Sequence, residues 1–180
     1  MNAALGPPLL GLRFLLAHPA HFIALGGGSG LAPVAPGTAG TLWAWLVFAL
    51  LDRWLDSAQW GAVLVLSFGV GWWACTRTAQ RLGRADPGAI VWDEVLAFWL
   101  VLWLITPAGF WSQAAAFVLF RLFDAAKPGP IGWADAAFKR RGDAAPVGWR
   151  EGFGILFDDL LAASCTLLVI ALAVAVWRML

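Results

Sequence analysis

The sequence predicts an all-helical membrane protein: a polytopic bundle of four to five membrane helices with a short helical hairpin and a cytoplasmic loop. Of its 180 residues, 61% are hydrophobic and 13% are charged, whereas soluble domains are about 45–50% apolar and about 25% charged. Three long apolar stretches, 57–76, 95–120 and 160–177, contain no Asp, Glu, Lys or Arg. A soluble globule of this composition would have too few polar groups to cover its surface.

We expect one domain over residues 1–180, with an N-terminal interfacial helix and a Gly-rich loop in 1–35 and membrane helices in 37–178. Leu9–Leu16 is the candidate interfacial helix. The N-terminus does not resemble a signal peptide, because no Lys or Arg precedes Arg13. Pro36 and Gly37 can begin a helix that continues through the apolar run 41–51, which gives a marginal span.

Ser57–Thr76 has the length of a full span, since a helix needs roughly 20 apolar residues to cross the hydrocarbon. Val95–Phe120 is either one long tilted helix or two shorter helices that turn at Thr106–Gly109, where Pro and Gly both disfavour helix. The hairpin is favoured because it collects ten Lys and Arg on one side of the membrane and leaves two on the other. The first group is Arg13, Arg77, Arg81, Arg84, Arg121, Lys127, Lys139, Arg140, Arg141 and Arg150, and the second is Arg53 and Arg178.

Pro128–Gly154 is the most polar stretch and is predicted to be a cytoplasmic loop with one helix around Trp133–Arg141. Leu160–Trp177 is the last predicted span. Trp residues, which anchor spans at the membrane–water boundary, flank the predicted outer turns and end the last span. They are Trp54 and Trp60, Trp103 and Trp111, and Trp177.

The hairpin topology brings acidic residues from three distant segments to the basic side of the membrane. They are Asp93, Glu94, Asp124, Asp158 and Asp159. Each adjoins a long apolar run. An unpaired carboxylate in such a position is energetically costly, which makes it a candidate functional residue. Bound divalent cations would relieve their mutual repulsion. Because the candidate ligands are oxygens, Mg²⁺ is the favoured ion, with Mn²⁺ or Ca²⁺ as alternatives.

Other interpretations of these acids remain open. In a first helical turn they can simply complement the helix dipole, as in a non-catalytic membrane assembly protein. A small cation-coupled transporter or channel component would also place acids in the membrane, but near its middle. The acids of this chain gather at span ends on one side, which favours a surface site.

Two cations and a Gly-rich segment accompany the acids. Arg121 lies three residues before Asp124 on one helical face, and Lys127 follows just before a Pro. Both suit a phosphate group beside a metal–carboxylate cluster. In the segment 26–41, backbone N–H groups near a helix N-terminus can bind an anion, although a flexible connector explains the glycines equally well. The candidate phosphate-binding residues here are Gly28, Ser29, Gly30, Gly37 and Thr38.

The chain resembles the phosphatidylglycerophosphatase A family of bacterial membrane lipid phosphatases in four blocks that occur in order between His21 and Ala163. The blocks are 28–33 with 35–41, 90–95, 120–124 with 127–128 and 130–131, and 158–162. Any single block is weak, and the ordered set is specific.

The resemblance implies Mg²⁺-dependent hydrolysis of the phosphomonoester of phosphatidylglycerophosphate, with the five acids as metal and catalytic residues. Attack by water and an aspartyl-phosphate route both remain possible. It further implies a multi-pass protein of the bacterial inner membrane with its active site facing the cytoplasm. The lipid is the expected partner, with no prediction of oligomeric state. Nucleic acid is not an expected partner, because the net charge is only +1.

Overall fold

The computed structural model describes residues 9–138 and 147–180, which form eight α-helices and contain no strand. The helices are α1 (Leu12–Leu16), α2 (Pro19–Ala24), α3 (Pro36–Leu51), α4 (Ser57–Leu82), α5 (Trp92–Ile105), α6 (Phe110–Ala126), α7 (Pro130–Phe138) and α8 (Trp149–Met179), and a 3₁₀ turn covers Gly26–Leu31. The all-helical prediction is confirmed for these residues. The predicted cations Lys139, Arg140 and Arg141 lie outside them.

The 95–120 region forms two helices, so the hairpin is confirmed and the single long helix is wrong. Helix α5 ends at Ile105 and α6 begins at Phe110. The Arg121 guanidinium at the end of α6 lies 3.7 Å from the Glu94 carboxylate at the start of α5. The two helices therefore run antiparallel and return the chain to the end of the bundle from which it started.

The other helices follow from their side-chain contacts. The indole of Trp99 in α5 donates to the carbonyl of Ala44 in α3, and the indole of Trp103 donates to Ser57 at the start of α4. Near the other end of α5, the indole of Trp92 donates to the carbonyl of Ser67. Gly37 at the start of α3 also lies against Glu94 at the start of α5, so α5 is parallel to α3, whereas its two contacts with α4 make those helices antiparallel. The N-termini of α3 and α5 consequently lie at the same end of the bundle as the C-terminus of α6.

Helix α8 begins at Trp149. The predicted loop Pro128–Gly154 is therefore wrong from Trp149 onward. The backbone N–H of Gly148 donates to the Glu151 carboxylate, which closes the first turn. Gly152 and Gly154 are helical because α8 packs closely there: a Cβ at Gly152 would collide with Thr76 of α4, and one at Gly154 with Phe138 of α7. These glycines mark helix contacts and not a loop.

Two helices, α4 with 26 residues and α8 with 31 residues, are long and apolar enough to cross a membrane by length and composition. Helices α3, α5 and α6 have 16, 14 and 17 residues, which is below or at the lower limit for a span. Trp54, Trp111 and Trp177 are exposed, as membrane anchors should be. Trp60 is 1% exposed and stacks on Phe48, so it belongs to the core.

Candidate functional site

The acidic residues predicted from the sequence lie at one end of the bundle, where α3 and α5 begin, α6 ends and α8 passes. Asp93 and Glu94 occupy the first turn of α5, Asp124 the last turn of α6, and Asp158 and Asp159 the first half of α8. The acids divide into two groups with different partners.

The first group, which we call the acidic cage, consists of Asp93, Glu94 and Asp159. One carboxylate oxygen from each of the three lies within 4.8 Å of the other two. Asp93 is 9% exposed and Asp159 is 3% exposed. In the described part of the chain, no donor reaches Asp93 Oδ1, Glu94 Oε2 or Asp159 Oδ2. Each residue of the cage therefore keeps one buried acceptor that has no protein partner.

Such an arrangement is unfavourable without a further ligand. A buried acceptor without a partner costs roughly 1–3 kcal/mol, and three ionised carboxylates at this separation repel one another. A proton or a cation at the centre of the cage would remove both penalties. Three converging carboxylates are also the oxygen donor set that suits a hard divalent cation, so the residues present fit a metal ion.

Arg121 lies beside the acidic cage and connects it to Asp124. Its guanidinium donates to Asp124 and lies 3.7 Å from Glu94 Oε1. The carboxyl group of Asp124 is close enough to Asp159 for the two to interact electrostatically. About a fifth of the Arg121 side chain remains exposed, so a solute at this end of the bundle can reach a guanidinium whose orientation Asp124 already holds.

Gly37 brings the N-terminus of α3 against the same residues. A Cβ at this position would collide with Glu94 Oε1 and would lie 3.1 Å from an Arg121 guanidinium nitrogen. No side chain caps the N-terminus of α3, so the backbone N–H groups of Gly37 and Thr38 remain available to an anion. The cage and this helix end together offer a carboxylate cluster next to an anion-binding surface.

The second group surrounds Lys127, which follows α6 in the left-handed backbone conformation with φ of 43°. Its ammonium donates to Asp158 and, at 2.6 Å, to Asp135. Burial lowers the pKa of Lys127, but the two hydrogen bonds outweigh this and hold the pKa above its ordinary value. Lys127 is therefore a permanent cation, and Asp158 faces it and is not among the three acids of the cage.

The other predicted phosphate-binding residues, Gly28, Ser29 and Gly30, contact other parts of the protein. The hydroxyl of Ser29 donates to the carbonyl of Gly26. Gly30 lies so close to the carbonyl of Ala89 that a Cβ would not fit. Gly28 has φ of 110°, a conformation that favours glycine. The close approach of Gly30 to Ala89 packs the 3₁₀ turn against the segment that leads into α5.

Asp135 is the one residue of the second group that the sequence analysis missed. It lies eight residues after Lys127, beyond Pro128 and Gly129, and α7 folds it back onto the ammonium. The sequence does contain a signal for this pairing: Asp135 lies in the short helix predicted around Trp133–Arg141, close enough in the chain to be the counter-ion of Lys127. The separation across a proline turn hid the pairing.

Comparisons with known proteins point to one family. The family model described as "PgpA: Phosphatidylglycerophosphatase A" matches residues 22–174. That range includes all of the residues of both acidic groups. No solved structure matches the chain.

Curated relatives extend over most of the chain. A phosphatidylglycerophosphatase A of Escherichia coli K12 is 37% identical over 151 residues, which is 83% of this chain and 80% of the relative. One of Haemophilus influenzae is 35% identical over 167 residues, 93% of this chain and 95% of the relative. A protein of Bacteroides thetaiotaomicron called a putative phosphatidylinositol-3-phosphatase is 34% identical and covers 84% of this chain and 91% of its own length.

Proposed function

The chain belongs to the phosphatidylglycerophosphatase A family, and from that premise we propose that it hydrolyses the terminal phosphomonoester of phosphatidylglycerophosphate, giving phosphatidylglycerol and phosphate. The observation that carries the proposal is the acidic cage, whose three carboxylates each keep one buried oxygen without a protein partner. It adjoins a guanidinium and an uncapped helix N-terminus, which together suit a phosphate group.

We further propose that Asp93, Glu94 and Asp159 hold Mg²⁺. When bound, this ion supplies a Lewis acid for phosphoryl oxygens and lowers the pKa of a coordinated water. The protein contributes ligands that are already assembled and buried. Asp124 accepts from Arg121 and so fixes the direction of the guanidinium, and because it also lies close to Asp159 we propose it as a ligand of a second ion.

Arg121 and the start of α3 bind the phosphoryl group in this mechanism. The guanidinium neutralises charge that accumulates on the phosphoryl oxygens during transfer. The N–H groups of Gly37 and Thr38 donate to the same phosphoryl group in this proposal, since Gly37 lies against both Glu94 and Arg121. Lys127 is a second cation for the phosphate in this proposal; Asp135 and Asp158 fix the direction of its ammonium and offset its charge until phosphate binds.

We propose that the site faces the cytoplasm in a multi-pass protein of the bacterial inner membrane. Support comes from the charge distribution, since Arg77, Arg81 and Arg84 lie at the end of α4 nearest the site and Arg53 lies at the other end. The large apolar side chains exposed on α4 and α8 also suit a lipid environment. They include Val65, Leu66, Leu168, Leu172 and Val176.

The test is release of inorganic phosphate by the purified protein from phosphatidylglycerophosphate in detergent micelles. We expect activity with Mg²⁺, loss of activity with EDTA and recovery when Mg²⁺ is restored. Phosphatidylinositol 3-phosphate is the necessary comparison, because one relative carries that substrate in its name. Faster hydrolysis of the inositol lipid would overturn the substrate assignment, and full activity in EDTA would overturn the metal assignment.

A further inference from the structure

An apolar groove runs along the bundle next to the acidic cage. Its volume is about 500 Å³, within the range of roughly 300–1,000 Å³ that small-molecule sites occupy. The groove lies between the two helices that are long enough to span a membrane, α4 and α8, with α5 as its floor. Every lining residue is apolar, and the main ones are Leu64, Val65, Phe68, Leu96, Leu100 and Leu160.

The groove is continuous with the cage along α5. On α5, Asp93 and the lining residues Leu96, Leu100 and Trp103 follow at intervals of three, four and three residues, which places them on one helical face. On α8, Leu160 is one residue from Asp159, so it lies at nearly the same height along that helix, although its side chain points to a different side. The floor therefore begins one helical turn from a cage carboxylate, and Asp93 and Trp103 are about 15 Å apart along the axis of α5.

This geometry separates two chemistries along one line. At one end are buried carboxylates, Arg121 and an open helix N-terminus, and beyond them is a strip about two to three helical turns long without a polar side chain. A lipid with a phosphomonoester headgroup has the same order of polar and apolar parts. A helix of a partner protein would cover the groove but would place nothing in the cage.

Building on the proposed function, we infer that the groove binds one acyl chain of the lipid whose phosphomonoester enters the acidic cage. Its role is orientation. An acyl chain leaves an equally apolar surrounding in the membrane, so burial in the groove adds little affinity. Holding the chain against α5 instead restricts the angle at which the headgroup meets the cage, and misplacement by 1 Å can cost on the order of a hundredfold in rate.

The first test fills the groove and compares chain lengths. Val65 lines the groove and Leu66 next to it does not, although both are mostly exposed, at 74% and 67%. We expect Val65→Trp to lower the ratio of kcat/KM for dioleoyl to dihexanoyl phosphatidylglycerophosphate by roughly tenfold or more. Leu66→Trp is the matched control and should leave that ratio at the wild-type value.

The indole of Val65→Trp could turn away from the groove and leave it open. A second pair of variants, at Gly61 and Gly69, tests the groove in that case. A Cβ at Gly61 would lie 3.7 Å from the Trp103 ring at the end of the groove, whereas one at Gly69 would contact nothing within 4 Å. Gly61→Leu should lower the same ratio, and Gly69→Leu should not. If both groove variants keep the wild-type ratio in folded protein, the inference is wrong.

Photo-crosslinking tests binding without activity. Phosphatidylglycerophosphate with a diazirine in the middle of one acyl chain should label peptides of α4 and α5 that line the groove, and Val65→Trp should reduce this labelling. Phosphatidylcholine with the same chain should label them less. Equal labelling by the two lipids would show bulk lipid contact only and would overturn the inference.

The outcomes separate this inference from the proposed function. If the wild-type protein crosslinks the phosphomonoester lipid in the groove but releases no phosphate, the enzymatic assignment fails and the groove remains a lipid site. If phosphate release is normal and its chain-length ratio is insensitive to both groove variants, only the groove assignment fails.

Discussion

Asp158 and Asp159 are adjacent in the chain but have different partners. A helix turns by about 100° per residue, so neighbouring side chains on α8 point to different neighbours. Asp159 faces Asp93 and Glu94, while Asp158 accepts from Lys127. The two carboxylates should therefore respond differently to the same substitution.

Asp159→Asn should abolish Mg²⁺-dependent phosphate release, because it removes a charged ligand from the cage. Thermal unfolding measures the binding directly: at a Mg²⁺ concentration a hundredfold above Kd, the wild-type protein should gain roughly 2.7 kcal/mol of stability. Asp159→Asn should lose most of that gain. In EDTA it should unfold at or above the wild-type Tm, because one of three repelling buried charges is gone.

Asp158→Asn is the matched control for metal binding. It makes the same exchange of a carboxylate for an amide at the neighbouring residue and leaves the cage intact. The Mg²⁺-induced rise in Tm should therefore persist. If Asp158→Asn loses that rise and Asp159→Asn keeps it, the division into two acidic groups is wrong.

Gly37→Ala should reduce activity strongly, since the new methyl group would collide with Glu94 Oε1 and crowd Arg121. Relief requires movement of two groups that contact the substrate in the proposed mechanism, and such movement can cost on the order of a hundredfold. Steady-state kinetics of phosphate release measures it. Gly69→Ala is the control, because its Cβ contacts nothing within 4 Å, and equal losses in both variants would contradict the explanation.

At the residue scale, sequence reasoning could find the acids but not assign their partners. Charge placement and the Thr106–Gly109 break were enough to bring Asp93, Glu94 and Asp124 to one end. Which carboxylate faces Lys127 depends on the rotation of α8 about its axis, and that rotation is set by packing. Trp60 shows the same limit, because Asp52 accepts its indole N–H and Phe48 stacks on it in the core.

At the scale of the elements, the close packing of α8 against α4 requires a small residue at their contact. Gly152 lies against Thr76 of α4 and is seven residues, two turns, before Asp159, so this contact sets the position of Asp159 along α4. In the sequence, the glycines of this segment indicate a loop. Glycine breaks an isolated helix, but it also permits the closest helix packing, and only the neighbouring helix decides between the two.

Gly152→Ala should lower stability by about 1–3 kcal/mol, as overpacking generally does, and should lower activity because α8 must shift. Thermal unfolding in detergent and phosphate release measure the two effects. The double variant Gly152→Ala/Thr76→Gly should recover part of the loss, since it removes the hydroxyl and the Cβ that the new methyl would meet most closely. Strict additivity of the two single changes would refute the direct contact.

At the scale of the whole molecule, the all-helical class and the hairpin could be predicted from the sequence. The four to five membrane helices stay a prediction, because only α4 and α8 among the described helices are long and apolar enough to qualify as spans. At 1.5 Å per residue, the 14 residues of α5 extend about 21 Å, less than the roughly 30 Å of a hydrocarbon core. Hydropathy records which segments avoid water. It does not distinguish a helix that crosses the membrane from one buried among other helices.

Topology can be tested by cysteine labelling in a Cys75→Ser/Cys165→Ser background. The α3–α4 and α5–α6 turns lie at one end of the bundle, and the α4–α5 loop and the start of α8 lie at the other. In intact cells, an impermeant maleimide should label Trp54→Cys and Trp111→Cys. Arg84→Cys and Gly148→Cys should react only after the inner membrane is opened, and labelling of all four from one side would refute a multi-pass arrangement.

The groove beside the cage is open along α4, where Val65 is 74% exposed. A substrate entering there would arrive by lateral diffusion, without leaving its leaflet. Encounter would then follow the mole fraction of substrate in the surface and not its bulk concentration. Inert detergent added at constant total substrate should slow the reaction by dilution within the micelle, as expected for a two-dimensional search.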